Sequence, residues 1–254
     1  MVIKLIFFLI GAIVGSFLNS AIYRLPRRKS LLFPGSYCPQ CGHKIHYWDN
    51  VPLLSYLVLK GKCRHCRKNI PVRYLLVELL TASLFTVFYI LYGLSYEFLF
   101  YITLLIVLII VTFTDLETKR VLNIVVFTGA VLAFYMSLIF WPLNFIYSLI
   151  GFLTGGGVLI FWAVIGKLLF KKESLGYGDI KLAAMIGIFL GLQNTLLALF
   201  LSFSLATLIG IFMIMLKKAR MDSKIPFAPF LALGSLLSLI WSDELFSLYW
   251  KIIG

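Results

Sequence analysis

The stretch SLGYGDIKLAAMIG, residues 174–187, places an acidic side chain at the beginning of an apolar run. Gly176 and Gly178 lie just before Asp179, and Lys181 follows before the run continues without charge. A carboxylate close to a hydrocarbon-compatible segment is costly, which makes it a candidate functional residue. The nature of the apolar run therefore decides how Asp179 is interpreted.

The composition of the whole chain indicates a membrane protein. Apolar residues make up 61% of the 254 residues, charged residues make up 13%, and the mean hydropathy is +1.00. A soluble domain has about 25% charged residues. Lipid offers no hydrogen-bond partner to an open backbone, so apolar runs of this kind form helices. The sequence predicts an all-α polytopic membrane protein.

Eight apolar segments can be read along the chain, which predicts about eight transmembrane helices. They cover residues 3–22, 74–93, 96–114, 121–141, 145–169, 180–193, 195–216 and 226–250. The sixth segment is short for a span, and its length alone would also fit a re-entrant helix. The predicted organisation is a first transmembrane helix at 1–23, a cytoplasmic loop domain at 24–73, and a seven-helix membrane core at 74–254.

The basic residues predict how the chain is oriented in the membrane. Of the 23 Lys and Arg residues, eleven lie in residues 24–73, and further clusters lie at 119–120, 167–181 and 217–224. These are alternate connections, and such an excess marks the cytoplasmic side. If the sixth segment did not cross the membrane, the basic cluster at 217–224 would lie on the outer side of the membrane. The charge pattern therefore favours a sixth segment that crosses. The net charge of +13 then predicts contact with anionic lipids rather than nucleic acid.

The four cysteines of the chain all lie in the 24–73 loop. Cys38 and Cys41 form one C-x2-C pair, and Cys63 and Cys66 form a second pair, with 21 residues between the two pairs. Two such pairs can present four thiolates to one tetrahedral zinc ion, which would fold a loop too small for its own core. Disulfides are disfavoured on the cytoplasmic side. A redox role, and a substitute ligand from His43, His46 or His65, remain alternatives.

Two acids lie near the predicted cytoplasmic ends of apolar segments. Asp115 occurs in LIIVTFTDLETKRVLN and Asp179 in GYGDIKL, and the two spans between them place both on one side. Two neighbouring carboxyl groups share protons unequally, which provides a general acid and a general base. Gly176 and Gly178 would allow close backbone approach or a positive φ.

Other interpretations of these acids are open. Asp115 could cap or snorkel at a helix end, and Asp179 could be a helix N-cap. Both could be protonatable sites of a transporter or proton relay, although no internal repeat is evident. The chain could also be a scaffold that uses a zinc-folded loop for docking.

The sequence resembles the type IV prepilin peptidases over most of its length. GSFLNSAIYRLP at 15–26 resembles the exit of that family's first helix, and residues 38–82 resemble its cysteine domain throughout. GYGDIKL at 176–182 is similar to its second aspartate motif, and KIPFAPFLALG at 224–234 to its last-helix motif. Leu75 and Ala228 depart from the usual pattern, as do residues 121–123.

The resemblance implies a bacterial inner-membrane aspartyl endopeptidase with Asp115 and Asp179 as its catalytic pair. Such enzymes remove a short basic leader from type IV prepilins or pseudopilins at the cytoplasmic face. They then methylate the new N-terminus with S-adenosylmethionine. Gly176, Gly178 and Lys181 would belong to the supporting loop.

The resemblance also implies a methyl-donor site near the cysteine domain. Glu78, Asn50 and Trp48 are its candidates in this sequence. Glu78 could instead pair with Arg73, and Trp48 and Asn50 could simply pack the loop against the helices.

Overall fold

The computed structural model describes residues 1–31, 33–140, 144–170, 176–217 and 225–253. Five of the basic residues used to predict the orientation lie outside these ranges, namely Lys171, Lys172, Lys218, Arg220 and Lys224. The described residues contain isolated backbone bridges but no β-strand. The predicted all-helical class is therefore confirmed.

Eight α-helices follow one another along the described chain. They are α1 (Val2–Arg24), α2 (Leu54–Val58), α3 (Arg73–Tyr92), α4 (Tyr96–Thr118), α5 (Asn123–Ile139), α6 (Phe145–Phe170), α7 (Tyr177–Met215) and α8 (Ala228–Ile253). Two short 3₁₀ helices cover Leu25–Arg27 and Tyr47–Asn50. Within the described ranges, α1, α3, α4, α6, α7 and α8 are long and apolar enough to cross a membrane, and α5 is a shorter apolar helix.

The sixth and seventh predicted segments belong to one assigned helix, α7, which breaks at Gly191. Its 39 residues would measure about 58 Å as one straight helix, whereas the hydrocarbon core is about 30 Å thick. Gly191 has φ 68° and ψ −171°, a conformation that residues with a side chain rarely adopt. The Tyr147 hydroxyl donates to the Leu190 carbonyl at 2.7 Å beside the break. The break at Gly191 thus lies inside the sixth predicted segment, near its end at residue 193.

The chain divides into two compact units, Met1–Ile110 and Val111–Gly254. In the first unit, α1 packs directly on α3, since a Cβ built on Gly11 would lie 2.7 Å from Ala82 Cα. The loop after α1 is organised by Arg24, a residue that is only 6% exposed. It donates to the carbonyls of Ser30, Leu31, Pro34 and Gly35 at 2.8–3.1 Å. One buried side chain thus supplies the hydrogen bonds of an irregular segment.

In the second unit, α6 and α7 approach through residues without bulky side chains. A Cβ on Gly151 would collide with the Gly187 carbonyl, and a Cβ on Gly155 would collide with the Ala183 carbonyl. Small residues at a helix contact let two backbones pack closely, which drives association where water is absent. This contact fixes the first half of α7, the part that carries Asp179.

The α6–α7 contact can be tested with two glycines of the same helix. We expect Gly155→Ala to lower the apparent melting temperature by about 5 °C, because overpacking costs about 1–3 kcal/mol. Gly157→Ala is the matched control, since no atom lies within 4 Å of its built Cβ and alanine favours a helix. Intrinsic fluorescence of the detergent-purified protein measures both. Equal melting temperatures for the two variants would contradict the contact.

Candidate active site and metal centre

Asp115 lies near the C-terminal end of α4 and is 5% exposed. Its Oδ2 accepts a hydrogen bond of 3.3 Å from the backbone N–H of Ala228, the first residue of α8 and 113 positions away. The first N–H groups of a helix lack partners within that helix, and its positive dipole end favours an anion. The N-terminus of α8 therefore binds the Asp115 carboxylate and fixes its position.

Asp179 lies in the first turn of α7. Gly176 is the N-cap residue of this helix, with φ −74° and ψ 137°, so Asp179 is not itself the N-cap. The backbone N–H of Gly176 donates to the Asp179 carboxylate, and the N–H of Asp179 donates to the Gly176 carbonyl at 3.1 Å. In a capping box, the side chain of the third helical residue accepts a hydrogen bond from the backbone N–H of the N-cap residue. Asp179 and Gly176 form this half of the motif. The backbone thus orients the Asp179 side chain.

The structure brings the two aspartates close enough for their charges to interact. Each also accepts a hydrogen bond from a backbone N–H at a helix N-terminus. A neighbouring carboxylate makes it costly for both groups to be ionised, so a single proton can be shared between them. Such a pair can remove a proton from water while it delivers another to a leaving group.

The residues around Asp179 connect α7 to the start of α5. A Cβ on Gly178 would lie 2.7 Å from the Cβ of Val121, so glycine is required by close approach rather than by a positive φ. The Lys181 ammonium donates to Asn123 Oδ1 at 3.2 Å. The four residues of this junction thus fix the beginning of α7 beside the beginning of α5.

The four cysteines converge in the loop of the first unit. Their sulfur atoms all lie within 4.8 Å of one another, and those of Cys38 and Cys66 are 4.0 Å apart. A tetrahedral zinc ion with bonds of about 2.3 Å needs sulfur atoms about 3.8 Å apart. The four side chains therefore fit one metal ion, with no position left for a water ligand. The histidines are not part of this cluster in the described chain.

Each cysteine pair lies in a turn of the same construction. The N–H of Cys38 donates to the His43 carbonyl and the N–H of Cys63 to the Lys68 carbonyl, each at 2.9 Å. The backbone N–H groups of Cys66 and His65 bond to the Cys63 sulfur and lower its pKa to about 7. The second turn thus directs N–H groups toward the Cys63 thiolate, the form that binds a metal.

A cavity of about 450 Å³ lies between α1, the cysteine loop and α3, within the first unit. Among the residues that line it are Ser16, Tyr23, Asp49, Asn50, Tyr56 and Glu78. Its volume is in the range of small-molecule sites. The Arg64 guanidinium bonds Asp49 at 2.6–3.1 Å and lowers the pKa of that carboxyl. This ion pair forms part of the cavity wall.

The three candidates for a methyl-donor site have different positions. Glu78 is only 8% exposed and lines the cavity, where its carboxylate accepts from the Leu53 N–H at 2.8 Å and from the Ser16 hydroxyl. Asn50 lines the same cavity. Trp48 does not line it; its side chain is 70% exposed and lies against Tyr47, with ring centroids 4.6 Å apart. The structure thus brings Glu78 and Asn50 to one site without Trp48.

Sequence reasoning missed the backbone donor of Ala228 and the contact of Val121 with Gly178. A signal for the first was present, because Pro226 and Pro229 mark the beginning of a helix in KIPFAPFLALG. No local pattern indicates that the first residue of this helix lies beside Asp115. Three tyrosines of the cavity lining, Tyr23, Tyr37 and Tyr74, were missed as well, since they lie on separate segments.

Two family models together match about three quarters of the chain. The model described as the bacterial peptidase A24 N-terminal domain matches residues 9–92, and the model described as the type IV leader peptidase family matches residues 102–211. The first match covers the cysteine loop and the cavity. The second covers both aspartates. No solved structure was found to match the chain.

Proteins called prepilin leader peptidase/N-methyltransferase are similar over nearly their full length. The protein from Pseudomonas putida is 34% identical, with 96% of this chain and 93% of that protein aligned. The protein from Aeromonas salmonicida is 36% identical, over 97% and 93% of the two chains. The one from Bacillus subtilis (strain 168) is 34% identical, over 97% and 98%.

The cysteine cluster predicts a defined metal content. We expect the purified protein to hold about one divalent ion per chain, and Cys38→Ser to lose most of it, because a hydroxyl replaces a thiolate ligand. Elemental mass spectrometry of the detergent-purified protein measures the metal-to-protein ratio. His46→Ala is the control and should keep the ion. Full metal in Cys38→Ser would exclude this ligand set.

Proposed function

This chain belongs to the type IV leader peptidase family, and we propose that it removes the leader from type IV prepilins or pseudopilins and then methylates the new N-terminus. The similar proteins from three bacterial genera carry names that contain both activities. The chain is a multi-pass membrane peptidase, and we place it in the bacterial inner membrane. Its basic connections support a cytoplasmic position for the site.

The observation that carries the peptidase mechanism is the interaction between the charges of Asp115 and Asp179. In the mechanism, one aspartate is ionised and takes a proton from a water molecule. The water oxygen attacks the carbonyl carbon of the scissile peptide bond. The other aspartate, protonated, delivers its proton to the leaving nitrogen as the C–N bond breaks. The products are the leader's carboxylate and the amine of the mature protein.

The surroundings of the two acids support these roles. The backbone N–H groups of Ala228 and Gly176 hold the carboxyl groups in place without adding a competing positive charge. The junction of Gly178 with Val121 and of Lys181 with Asn123 supports the Asp179 loop. A site at helix ends, rather than at the bilayer midplane, suits a peptide bond that emerges from the membrane. A transporter would instead place its acids near the midplane.

The cysteine cluster and the basic loop have structural roles in this proposal. Four thiolates hold one zinc ion, which supplies no open coordination position and thus stabilises the loop without taking part in hydrolysis. The excess of Lys and Arg in residues 24–73 contacts anionic lipid headgroups. The substrate's apolar helix then provides most of the binding to the membrane helices.

The aspartate pair is tested with single amide substitutions. We expect Asp115→Asn and Asp179→Asn each to lower the cleavage rate about 10²–10⁴-fold, because an amide of the same shape can neither accept nor deliver the catalytic proton. The assay incubates the full-length enzyme in liposomes with a prepilin and S-adenosylmethionine. The intact mass of the product reports both the loss of the leader and the added methyl group.

Glu117→Gln is the matched control, since Glu117 is an exposed acid on the same helix as Asp115. It should cleave at the wild-type rate. Cleavage by both Asn variants at that rate would overturn the aspartyl mechanism. A wild-type enzyme that leaves the prepilin uncut would overturn the peptidase assignment and return attention to a proton relay. A product that has lost the leader but gained no methyl group would contradict the proposed methyltransferase activity and leave the peptidase assignment intact.

A further inference from the structure

The short helix α2 presents an apolar face to its surroundings. Leu54, Leu57 and Val58 are spaced i, i+3 and i+4, which puts them on one face of a helix, and they are 62–73% exposed. On the other side of α2, Ser55 and Tyr56 line the cavity of the first unit. A helix that separates a protein interior from water has its polar side chains outside. The direction of α2 is the reverse, which indicates that its outer face does not contact water.

Hydrogen bonds fix the position of α2 along the membrane helices. The backbone N–H of Leu53, the residue before α2, donates to the Glu78 carboxylate at 2.8 Å, and Ser16 of α1 bonds the same carboxylate. Glu78 lies about 7.5 Å along α3 from the first residue of that helix, Arg73. α3 is long and apolar enough to cross a membrane, and its 20 residues measure about 30 Å, the thickness of the hydrocarbon core. The start of α2 therefore lies beside the first two turns of a span.

The same part of α3 carries side chains that face lipid. Leu76, Leu79 and Leu80 are 42–51% exposed and share one face of the span, by the same spacing as the apolar residues of α2. They precede and follow Glu78, so this stripe and the start of α2 lie at one depth. An exposed apolar face at that depth contacts acyl chains, as the stripe does.

The residues around α2 are typical of a membrane–water boundary. The 3₁₀ helix that contains Tyr47 and Trp48 packs against α2, and both side chains are at least 70% exposed. Such rings are enriched at the level of the lipid headgroups. Lys60 and Lys62 follow α2 and are exposed. Lysine lays its aliphatic stem on an apolar surface and extends its charge to the headgroups, so the segment changes from apolar to basic as a boundary helix does.

We propose that α2 is an interfacial membrane helix, with Leu54, Leu57 and Val58 inserted among the acyl chains of the leaflet on the side of the cysteine loop. Lipid is the occupant of this face because α1 and α3 tie both ends of the loop to that leaflet, and the positive charges beside α2 suit anionic headgroups. Insertion goes beyond headgroup contact, since burial in hydrocarbon requires neither lipid charge nor low salt. The inference is independent of the proposed catalytic activities.

A photoreactive side chain identifies the molecule that covers α2. Leu57 is replaced by p-benzoylphenylalanine in the full-length protein, and Lys62, exposed and at headgroup level in this proposal, is replaced likewise as the control. Both variants are illuminated in nanodiscs of phosphatidylcholine, with and without phosphatidylglycerol, and intact mass reports the adducts. We expect the Leu57 variant to gain the mass of one lipid in both membranes, at about fivefold the yield of the control, because only its side chain reaches the acyl chains.

Salt and competing proteins distinguish insertion from other contacts. At about 1 M sodium chloride, where the Debye length is about 3 Å, the lipid adduct should keep its yield within about twofold. A lipid adduct that needs phosphatidylglycerol and disappears in salt would overturn insertion. An adduct of twice the chain mass would assign the face to a second copy, and an adduct with added prepilin would assign it to the substrate; either would overturn the inference. Absence of any adduct would show that the face contacts water and would overturn it too.

A second pair of variants decides the question if the photoreactive proteins do not fold. Leu57→Trp and Lys62→Trp each add one tryptophan to the five of the chain, and both should melt within about 2 °C of the wild type, since exposed substitutions cost little. Lipids with bromine on the acyl chain should quench the added emission of Leu57→Trp at least about twice as strongly as that of Lys62→Trp. Equal quenching of the two would contradict insertion of α2.

Discussion

The absence of water in the bilayer core is the constraint on which this structure depends. A polar group placed there is costly unless it finds a partner within the protein. Buried hydroxyls such as Thr81 and Ser202 bond the carbonyl four residues earlier in their own helices. The break at Gly191 is accompanied by a hydroxyl from Tyr147. Asp115 and Asp179 follow the same rule, since each accepts a hydrogen bond from a backbone N–H at the beginning of a helix, α8 for Asp115 and α7 for Asp179.

The sequence was sufficient to predict what depends on local composition. Apolar length predicted the helices, including a boundary between two segments close to the break at Gly191. The two C-x2-C pairs predicted a convergent cluster because spacing determines which side chains can meet around one ion. Asp115 and Asp179 were identified because an acid stands out beside hydrocarbon. In each case the signal lies within a short stretch of chain.

The remaining features depend on contacts between distant residues. Whether Asp179 caps its helix or lies in its first turn is a difference of three residues, which sequence patterns do not resolve. That Gly178 makes room for Val121 depends on how α5 meets α7. Glu78 and Tyr56 line one cavity only because the loop folds back on α1 and α3. Such placements result from packing, and a single sequence contains no pattern for them.

The bond between Asp115 and Ala228 also has a consequence for synthesis of the protein. The two residues are 113 positions apart, and the donor lies at the start of the final helix. A ribosome-bound chain that ends before this helix already contains both aspartates and the whole cysteine loop, but not the amide that holds Asp115. The arrangement of the two acids is thus completed only after α8 has been translated and inserted. Incomplete chains in the membrane lack it.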